Sequence, residues 1–166
     1  MNDTSDAGGA IMHKKMATRL RLRLARPYFR WSRGMTLGAR VIVVDDQQRF
    51  LLVRHTYQPG WILPGGGVER GESCLEAARR EVMEEAEIHA TGPLVIHGVF
   101  SNHRDFPGDH LAVYVLREFE QRPFTPGIEI AAAQFFAFGD LPATTTGGSR
   151  RRIEEFVTGA TPAAEW

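Results

Sequence analysis

A proline and three consecutive glycines stand directly before a segment with helical periodicity, and this junction constrains the fold of the 166-residue chain more than any other feature. Pro64 and the glycines 65–67 interrupt regular structure and predict a loop with an exposed backbone. Ser73 and Glu76 have the spacing of a capping box, so a helix is expected to begin there. Its apolar residues recur at helical spacing and predict one buried face: Leu75, Ala78, Val82 and Ala86.

Short apolar runs on both sides of this helix predict strands. The β-branched run 37–44 and the apolar run 50–53 are separated by the polar turn 45–48, which predicts a β-hairpin. Three further strands and a short terminal helix are expected at 94–100, 111–116, 134–138 and 150–157. The predicted fold is therefore a mixed sheet packed against helices, in the α/β or α+β class.

The composition is that of an ordinary globular domain. Hydrophobic residues make up 43% and charged residues 24% of the chain, which argues against disorder and fibrous repeats. No 18 apolar residues run together and no apolar stretch follows the N-terminal charges, so neither a membrane span nor a secretory signal is predicted. The single cysteine, Cys74, excludes an internal disulfide or a multi-cysteine zinc site. We expect a cytoplasmic protein.

The predicted helix and the loop before it are strongly acidic. At about 100° per residue, Glu81, Glu84 and Glu85 share one face beside the buried stripe. Like charges at this spacing repel one another by a few tenths of a kcal/mol per pair, and a divalent cation would reverse the sign of that interaction. Because the ligands are all oxygen, the pattern predicts a magnesium or manganese site rather than a zinc site.

The glycines suggest what such a metal would do. A glycine-rich turn before a helix exposes backbone groups at close range to a ligand. Magnesium is commonly held by carboxylates together with substrate phosphates, and it activates water for attack on phosphorus. Arg80 is placed to pair with Glu76 or Glu84 and so to hold the acidic face. These residues predict phosphate chemistry.

The same stretch resembles the Nudix box, whose pattern is G-x5-E-x7-R-E-U-x-E-E-x-G-U with U a bulky aliphatic residue. The matching residues are Gly66, Glu72, Arg80, Glu81, Val82, Glu84, Glu85 and Ile88. Glu87 stands where the motif has a late glycine, which normally lets the chain leave the helix in a left-handed turn. Keeping that turn with another residue costs about 1 kcal/mol. The preceding Leu63-Pro64-Gly65-Gly66 also resembles the family.

The resemblance implies a Nudix-like αβα sandwich, with the mixed sheet between helices. It also implies divalent-metal-dependent hydrolysis of a nucleoside diphosphate linked to another moiety, with Mg²⁺ or Mn²⁺ as cofactor. By position, the metal ligands are Glu81, Glu84, Glu85 and the Gly65 carbonyl, and Glu72 and Arg80 form the supporting ion pair. The general base is one of the three glutamates or a downstream carboxylate, for which Glu129 is preferred over Asp109 and Glu118.

Four residues are expected to meet the substrate. Arg54 flanks the glycine loop and is placed to hold phosphate, whereas Trp61 either stacks on a base or belongs to the core. Gly66 would allow close approach of the backbone. His103, in the polar segment after residue 100, either reaches the substrate or is an exposed histidine without a role.

The charge is unevenly distributed although the formal net charge is zero. Residues 11–40 hold nine basic and no acidic side chains. We expect residues 1–34 to be a disordered tail and basic segment, and residues 35–166 to form the Nudix-like domain. The basic segment has several candidate partners: RNA, an anionic membrane surface, its own domain or a second copy in a homodimer.

Two other functions compete with hydrolysis of a small nucleotide. A catalytically silent Nudix domain would act as a nucleotide sensor or RNA-binding module, although the intact glutamate set argues against it. An enzyme acting on the 5′ end of RNA would show steep salt dependence through the basic segment.

Overall fold

The computed structural model describes residues 34–166. In that range the strands are β1 Thr36–Val43, β2 Arg49–His55, β3 Gly65–Gly67, β4 Ile88–Ala90, β5 Val95–Ser101, β6 Asp109–Leu116, β7 Phe119–Gln121 and β8 Ile130–Ala137. The helices are α1 Cys74–Ala86 and α2 Gly147–Thr158, with a short 3₁₀ helix at Phe138–Asp140. The predicted disordered tail and most of the predicted basic segment lie outside the described residues, so those predictions stay predictions.

The main sheet has four strands in the order β3-β1-β6-β5. Strands β1 and β6 are parallel, from Thr36 opposite Asp109 to Val43 opposite Leu116, and the other two pairings are antiparallel. Strand β2 pairs with β8, and β4 with β7, in two smaller antiparallel sheets. The predicted mixed sheet is confirmed, whereas β4 and β7 had not been predicted.

The predicted hairpin is only partly correct. The two strands and the turn between them form as expected, closed by the Asp45 N–H donating to the Arg49 carbonyl at 3.1 Å. Beyond a single bridge between Val44 and Phe50, however, β1 and β2 belong to different sheets. Strand β1 is buried on both faces, and its two edges are taken by β3 and β6, so β2 pairs with β8 instead.

The glycines 65–67 were predicted as a loop, and that prediction is wrong. They form β3, antiparallel to β1, with Gly65 opposite Arg40 and Gly67 opposite Gly38. Gly65 has a φ of 142°, and a Cβ at this position would collide with the carbonyl of Ala39. Only glycine therefore allows the chain to lie so close to β1.

The core has two parts, one on each side of β1. Ala39, Val41 and Val43 pack with the buried face of α1, while Ile42 and Val44 pack with Ile153 of α2. This alternation follows from the two-residue period of a strand. The predicted arrangement of a sheet between helices is confirmed. No helix in residues 34–166 is long and apolar enough to cross a membrane.

Candidate active site

Helix α1 begins with the predicted capping box. The Ser73 hydroxyl accepts from the Glu76 N–H at 3.2 Å, and the Glu76 carboxylate accepts from the Ser73 N–H at 2.7 Å. Both hydrogen bonds satisfy donors that have no partner within the helix. One of our two predicted partners for Arg80 was Glu76. The structure does not show this pair, because the Glu76 carboxylate is engaged at the cap.

Arg80 instead connects three other glutamates with the glycine strand. Its guanidinium donates to Glu72 at 2.8 Å, to Glu81 at 2.8 Å and to Glu84 at 3.1 Å. A further bond, of 3.1 Å, reaches the Gly67 carbonyl. Hydrogen bonding to Glu72 is the largest cause that raises the pKa of Arg80, and the same contact lowers the pKa of Glu72. The predicted pairing with Glu84 is observed, and the loop, β3 and α1 are held together by one cation.

Glu85 is the most deeply buried of the three candidate ligands, with 8% of the residue exposed. Its carboxylate accepts from the Gly65 N–H at 2.8 Å and lies 3.3 Å from Nε2 of His55. Burial raises the pKa of Glu85 to about 7, although the hydrogen bond from Gly65 acts in the opposite direction. Burial also raises the pKa of Glu81. Both carboxylates therefore lie where burial disfavours their charged form.

The glycine strand supplies room and backbone groups at this point. A Cβ at Gly66 would collide with the carboxylate of Glu81, so the glycine lets that side chain lie against β3. The segment before β3 is fixed by the Leu63 N–H, which donates to the Ser149 hydroxyl at 3.0 Å. The first turn of α2 thereby positions the chain that enters the glycine strand.

Arg40 is a site residue that the sequence reasoning missed. It lies in β1 opposite Gly65, and its guanidinium donates to the carbonyls of Leu63, at 3.2 Å, and Gly65. Burial lowers its pKa, while the charges of Glu85 and Glu81 raise it. The sequence did contain a sign of this role, since Arg40 is a charged residue within the otherwise apolar run of β1. The sequence analysis considered it only as one of the basic residues of segment 11–40.

Glu129 is the downstream carboxylate that the structure brings to α1. A cavity of about 440 Å³ is lined by residues that include Glu81, Glu84, Glu85 and Glu129. The two other candidates lie elsewhere. Asp109 accepts hydrogen bonds from Thr36 and Asn102, and Glu118 lies against Gly92.

The donor set fits a hard divalent cation. Within residues 34–166, no three His, Cys, Asp or Glu side chains converge closely enough to coordinate one ion, because Glu81 and Glu84 turn toward Arg80 and Glu85 toward Gly65. The charged side chains that line the cavity are nevertheless all carboxylates, which suit magnesium or manganese. Reorientation of these glutamates would supply the ligands.

The predicted substrate contacts are more scattered. The guanidinium of Arg54 lies 5.7 Å from the ring centroid of Trp61, and Trp61 also packs edge-on against Phe136 at 4.9 Å. His103 accepts a hydrogen bond from the Gly108 N–H within its own loop. None of Arg54, Trp61 and His103 is among the described residues that line the cavity of the four glutamates.

Comparison with known proteins finds one family model that matches most of the chain and several similar enzymes. The family model described as NUDIX domain matches residues 34–156. A Bacillus subtilis (strain 168) protein named "Putative 8-oxo-dGTP diphosphatase" is 35% identical over 125 residues, which are 75% of this chain and 82% of that protein. An RNA pyrophosphohydrolase of Ruthia magnifica subsp. Calyptogena magnifica is 39% identical over 54 residues, which are 32% of this chain and 30% of that enzyme. The MutT NUDIX hydrolase structure from Burkholderia pseudomallei matches with a TM-score of 0.63 and 27% identity, over 72% of this chain and 95% of that chain.

Proposed function

The chain belongs to the Nudix family and is a pyrophosphohydrolase, and from this premise we propose that it uses a divalent cation to hydrolyse a nucleoside diphosphate linked to another moiety. Nudix hydrolases generally need divalent metal ions. The observation that carries the proposal is the excess of carboxylates at α1, where four glutamates line one cavity. Arg80 contacts only two of those four, Glu81 and Glu84.

In this proposal the cation is Mg²⁺ or Mn²⁺, held by Glu81, Glu84, Glu85 and the Gly65 carbonyl. When bound, it neutralises phosphate charge and lowers the pKa of the attacking water. Arg80 orients Glu81 and Glu84 and, with Glu72, joins α1 to the preceding loop. These supporting contacts act on the ligands rather than on the substrate.

Glu129 is the proposed general base. It lines the same cavity as the three ligands but comes from the segment before β8, so it approaches from a different part of the chain. A base must lie within reach of the water that it deprotonates, and the place of Glu129 in the lining of the ligands' cavity supports this role. Gly66 lets the carboxylate of Glu81 lie against β3, and its backbone is proposed to allow close approach of the substrate phosphates.

The relatives suggest two substrate classes for testing. The Bacillus subtilis relative suggests a nucleoside triphosphate such as 8-oxo-dGTP, because the match spans most of both chains. The 5′ end of RNA is the second candidate, suggested by the RNA pyrophosphohydrolase, but that match spans only 54 residues. RNA contact through the basic N-terminal segment remains part of this second proposal.

The proposal is tested by phosphate release, coupled to a pyrophosphatase or a phosphatase as each product requires, from a panel of nucleoside triphosphates, 8-oxo-dGTP, dinucleoside polyphosphates, ADP-ribose and 5′-triphosphate RNA, with Mg²⁺, Mn²⁺ or chelator. Glu85→Gln keeps an acceptor for the Gly65 N–H but removes the charge of a proposed metal ligand, and we expect it to lower kcat by at least about 100-fold. Glu154→Gln on the exposed face of α2 makes the same chemical change elsewhere and should leave kcat intact. Turnover that persists in chelator, or in Glu85→Gln, would contradict the proposed metal site.

A further inference from the structure

Gly65 is hydrogen-bonded to two charged side chains of the candidate site. Its N–H donates to Glu85 at 2.8 Å, and its carbonyl accepts from the Arg40 guanidinium. That carbonyl is also the proposed backbone ligand of the divalent cation. A cationic side chain of this protein therefore already contacts a group that is proposed to bind the metal ion.

Arg40 reaches this carbonyl from the face of β1 that is turned away from α1. Side chains alternate along a strand, and Arg40 shares its face with Ile42 and Val44, which pack with α2. The three candidate ligands belong to α1, on the other face. The Gly65 carbonyl therefore lies where the reach of Arg40 meets the glutamates of α1.

The positive charge of Arg40 is balanced by those glutamates without direct contact. Within residues 34–166 the guanidinium donates to two neutral carbonyls, of Leu63 and Gly65, and it forms no salt bridge with a carboxylate in that range. Burial lowers the pKa of Arg40, and the charges of Glu85 and Glu81 act in the opposite direction. Burial raises the pKa of both carboxyl groups, and the charge of Arg40 is among the causes that counteract this rise. Arg40 thus serves the two carboxylates as a counter-charge.

The guanidinium has room to leave the Gly65 carbonyl. Arg40 is only partly buried and lines a second cavity, of about 420 Å³, which has no role in the proposed metal chemistry. Asp105 and Asp109 line the same cavity, so a displaced guanidinium would stay beside negative charge. Arg40 can therefore move without carrying its charge into apolar surroundings.

We propose that Arg40 competes with the divalent cation for the Gly65 carbonyl and for the charge of Glu85 and Glu81, and that it is a positioning residue that sets the metal affinity of the site. The inference rests on the proposed function, because the competing ion is the cofactor of that function. Two cations beside the same carboxylates repel each other, so Arg40 weakens metal binding. In return, Arg40 stabilises the fold when the ion is withdrawn by a chelator.

The first test is titration of the full chain with Mn²⁺, followed by the electron paramagnetic resonance signal of the free ion. Arg40→Met removes the charge and the donors, and we expect it to bind Mn²⁺ about tenfold more tightly than the wild type. Arg40→Lys keeps the charge and should retain most of the wild-type affinity. Arg79→Met removes an exposed arginine of α1 that donates away from the glutamates, and it should change the affinity less than about twofold. Unchanged or weaker Mn²⁺ binding by Arg40→Met would overturn the inference.

The second test is thermal unfolding in chelator and in Mg²⁺. A ligand that binds only the folded state stabilises it more as its affinity rises. Arg40→Met should have a lower Tm than the wild type in chelator, and the same Mg²⁺ concentration should raise its Tm by a larger amount. An arginine with a purely structural role would lower the Tm equally in both conditions, and that result would refute the competition.

If Arg40→Met does not fold, nuclear magnetic resonance of ¹⁵N-labelled arginine side chains in the wild type decides the question. Comparison with Arg40→Lys assigns the Arg40 guanidinium signals, and Mg²⁺ should shift them and speed their hydrogen exchange with water. Signals that Mg²⁺ leaves unchanged would contradict the displacement.

The Glu85→Gln variant separates this inference from the proposed function. A wild type that binds no Mn²⁺, or binds it no better than Glu85→Gln does, would refute the proposed metal site and the role of Arg40 with it. Wild-type binding that Glu85→Gln abolishes, together with unaltered affinity in Arg40→Met, would refute the role of Arg40 alone.

Discussion

Helices α1 and α2 each carry an arginine paired with glutamate, but the two pairs differ in their surroundings. Arg80 of α1 has a side chain 25% exposed and contacts Glu72, Glu81 and Glu84. Arg152 of α2 is fully buried and contacts one carboxylate, Glu155, at 2.7 Å. The guanidinium carbon of Arg152 also lies 4.0 Å from the centroid of the Phe100 ring, and burial, together with the charge of Arg151, lowers the pKa of Arg152.

The number of carboxylates around each arginine distinguishes a structural ion pair from a candidate catalytic one. A buried ion pair must be closely matched, because an uncompensated charge in the interior is very unfavourable. Arg152 pairs with Glu155, which His97 also contacts at 3.3 Å, and the Glu165 carbonyl accepts from the Arg152 guanidinium at 2.8 Å. At Arg80 the carboxylates outnumber the cation, which is tolerable only near solvent and leaves a place for a second positive charge.

Removing the buried arginine should have the largest effect on stability. Arg152→Met leaves Glu155 without its cation, and we expect the free energy of unfolding to fall by about 3 to 5 kcal/mol. Urea denaturation followed by circular dichroism measures this change. The matched control is Arg117→Met: Arg117 is exposed and lies 5.0 Å from the Phe156 ring, so its loss should cost less than about 1 kcal/mol. Equal losses in both variants would show that burial of Arg152 adds nothing.

Removing Arg80, the partly exposed arginine, should affect activity more than stability. Arg80→Gln releases Glu81 and Glu84, so we expect metal affinity or kcat/KM to fall about 10- to 100-fold, with a loss of stability below about 1 kcal/mol. Titration with Mn²⁺ and steady-state kinetics measure the two quantities.

Arg79→Gln provides the control for that prediction on the same helix. Arg79 is exposed and donates to the carbonyls of Ala90 and Gly92, away from the glutamates. It should leave metal affinity unchanged. If Arg79→Gln weakened metal binding as much as Arg80→Gln, the special role of the Arg80 contacts would be refuted.

The ends of the two helices give the smallest expected effect. Both leave the helix through a left-handed residue, Glu87 with a φ of 55° and Gly159 with a φ of 68°. Glu87→Gly should relieve strain and raise the free energy of unfolding by about 0.5 to 1 kcal/mol, whereas Gly159→Ala should lower it by about 1 kcal/mol. Thermal or urea unfolding measures both. A destabilised Glu87→Gly variant would mean that the glutamate side chain compensates for its backbone conformation.

The sequence predicted those parts of the fold that depend on neighbouring residues. Helix α1 and its cap follow from Ser73, Glu76 and a regular apolar face, all within one segment. The pairing of β1 and β2 could not be predicted in the same way, because the edges of β1 are filled by residues far away along the chain. The left-handed exit at Glu87 was not predicted, since a glutamate stands where the Nudix box has the glycine that favours such an exit.

For the candidate site, too, the sequence indicated some residues and missed others. The glutamates of α1 emerged from their helical spacing, and Glu129 was preferred by resemblance before the structure brought it to the same cavity. Arg40 was missed, since an isolated arginine in an apolar strand gives no local sign of which groups it will contact. His103 was expected near the substrate, but it contacts its own loop and lines a different cavity with Trp166.

The bond from the Leu63 N–H to the Ser149 hydroxyl joins residues 86 positions apart in the chain. Ribosomes deliver the chain from its N-terminus, so the glutamate helix leaves the exit tunnel well before the residue that fixes the entrance to β3. A nascent chain whose α2 has not yet left the exit tunnel thus contains every glutamate of the site, but the entrance to β3 is not yet fixed by Ser149. Chains truncated before residue 149 are expected to be inactive for the same reason.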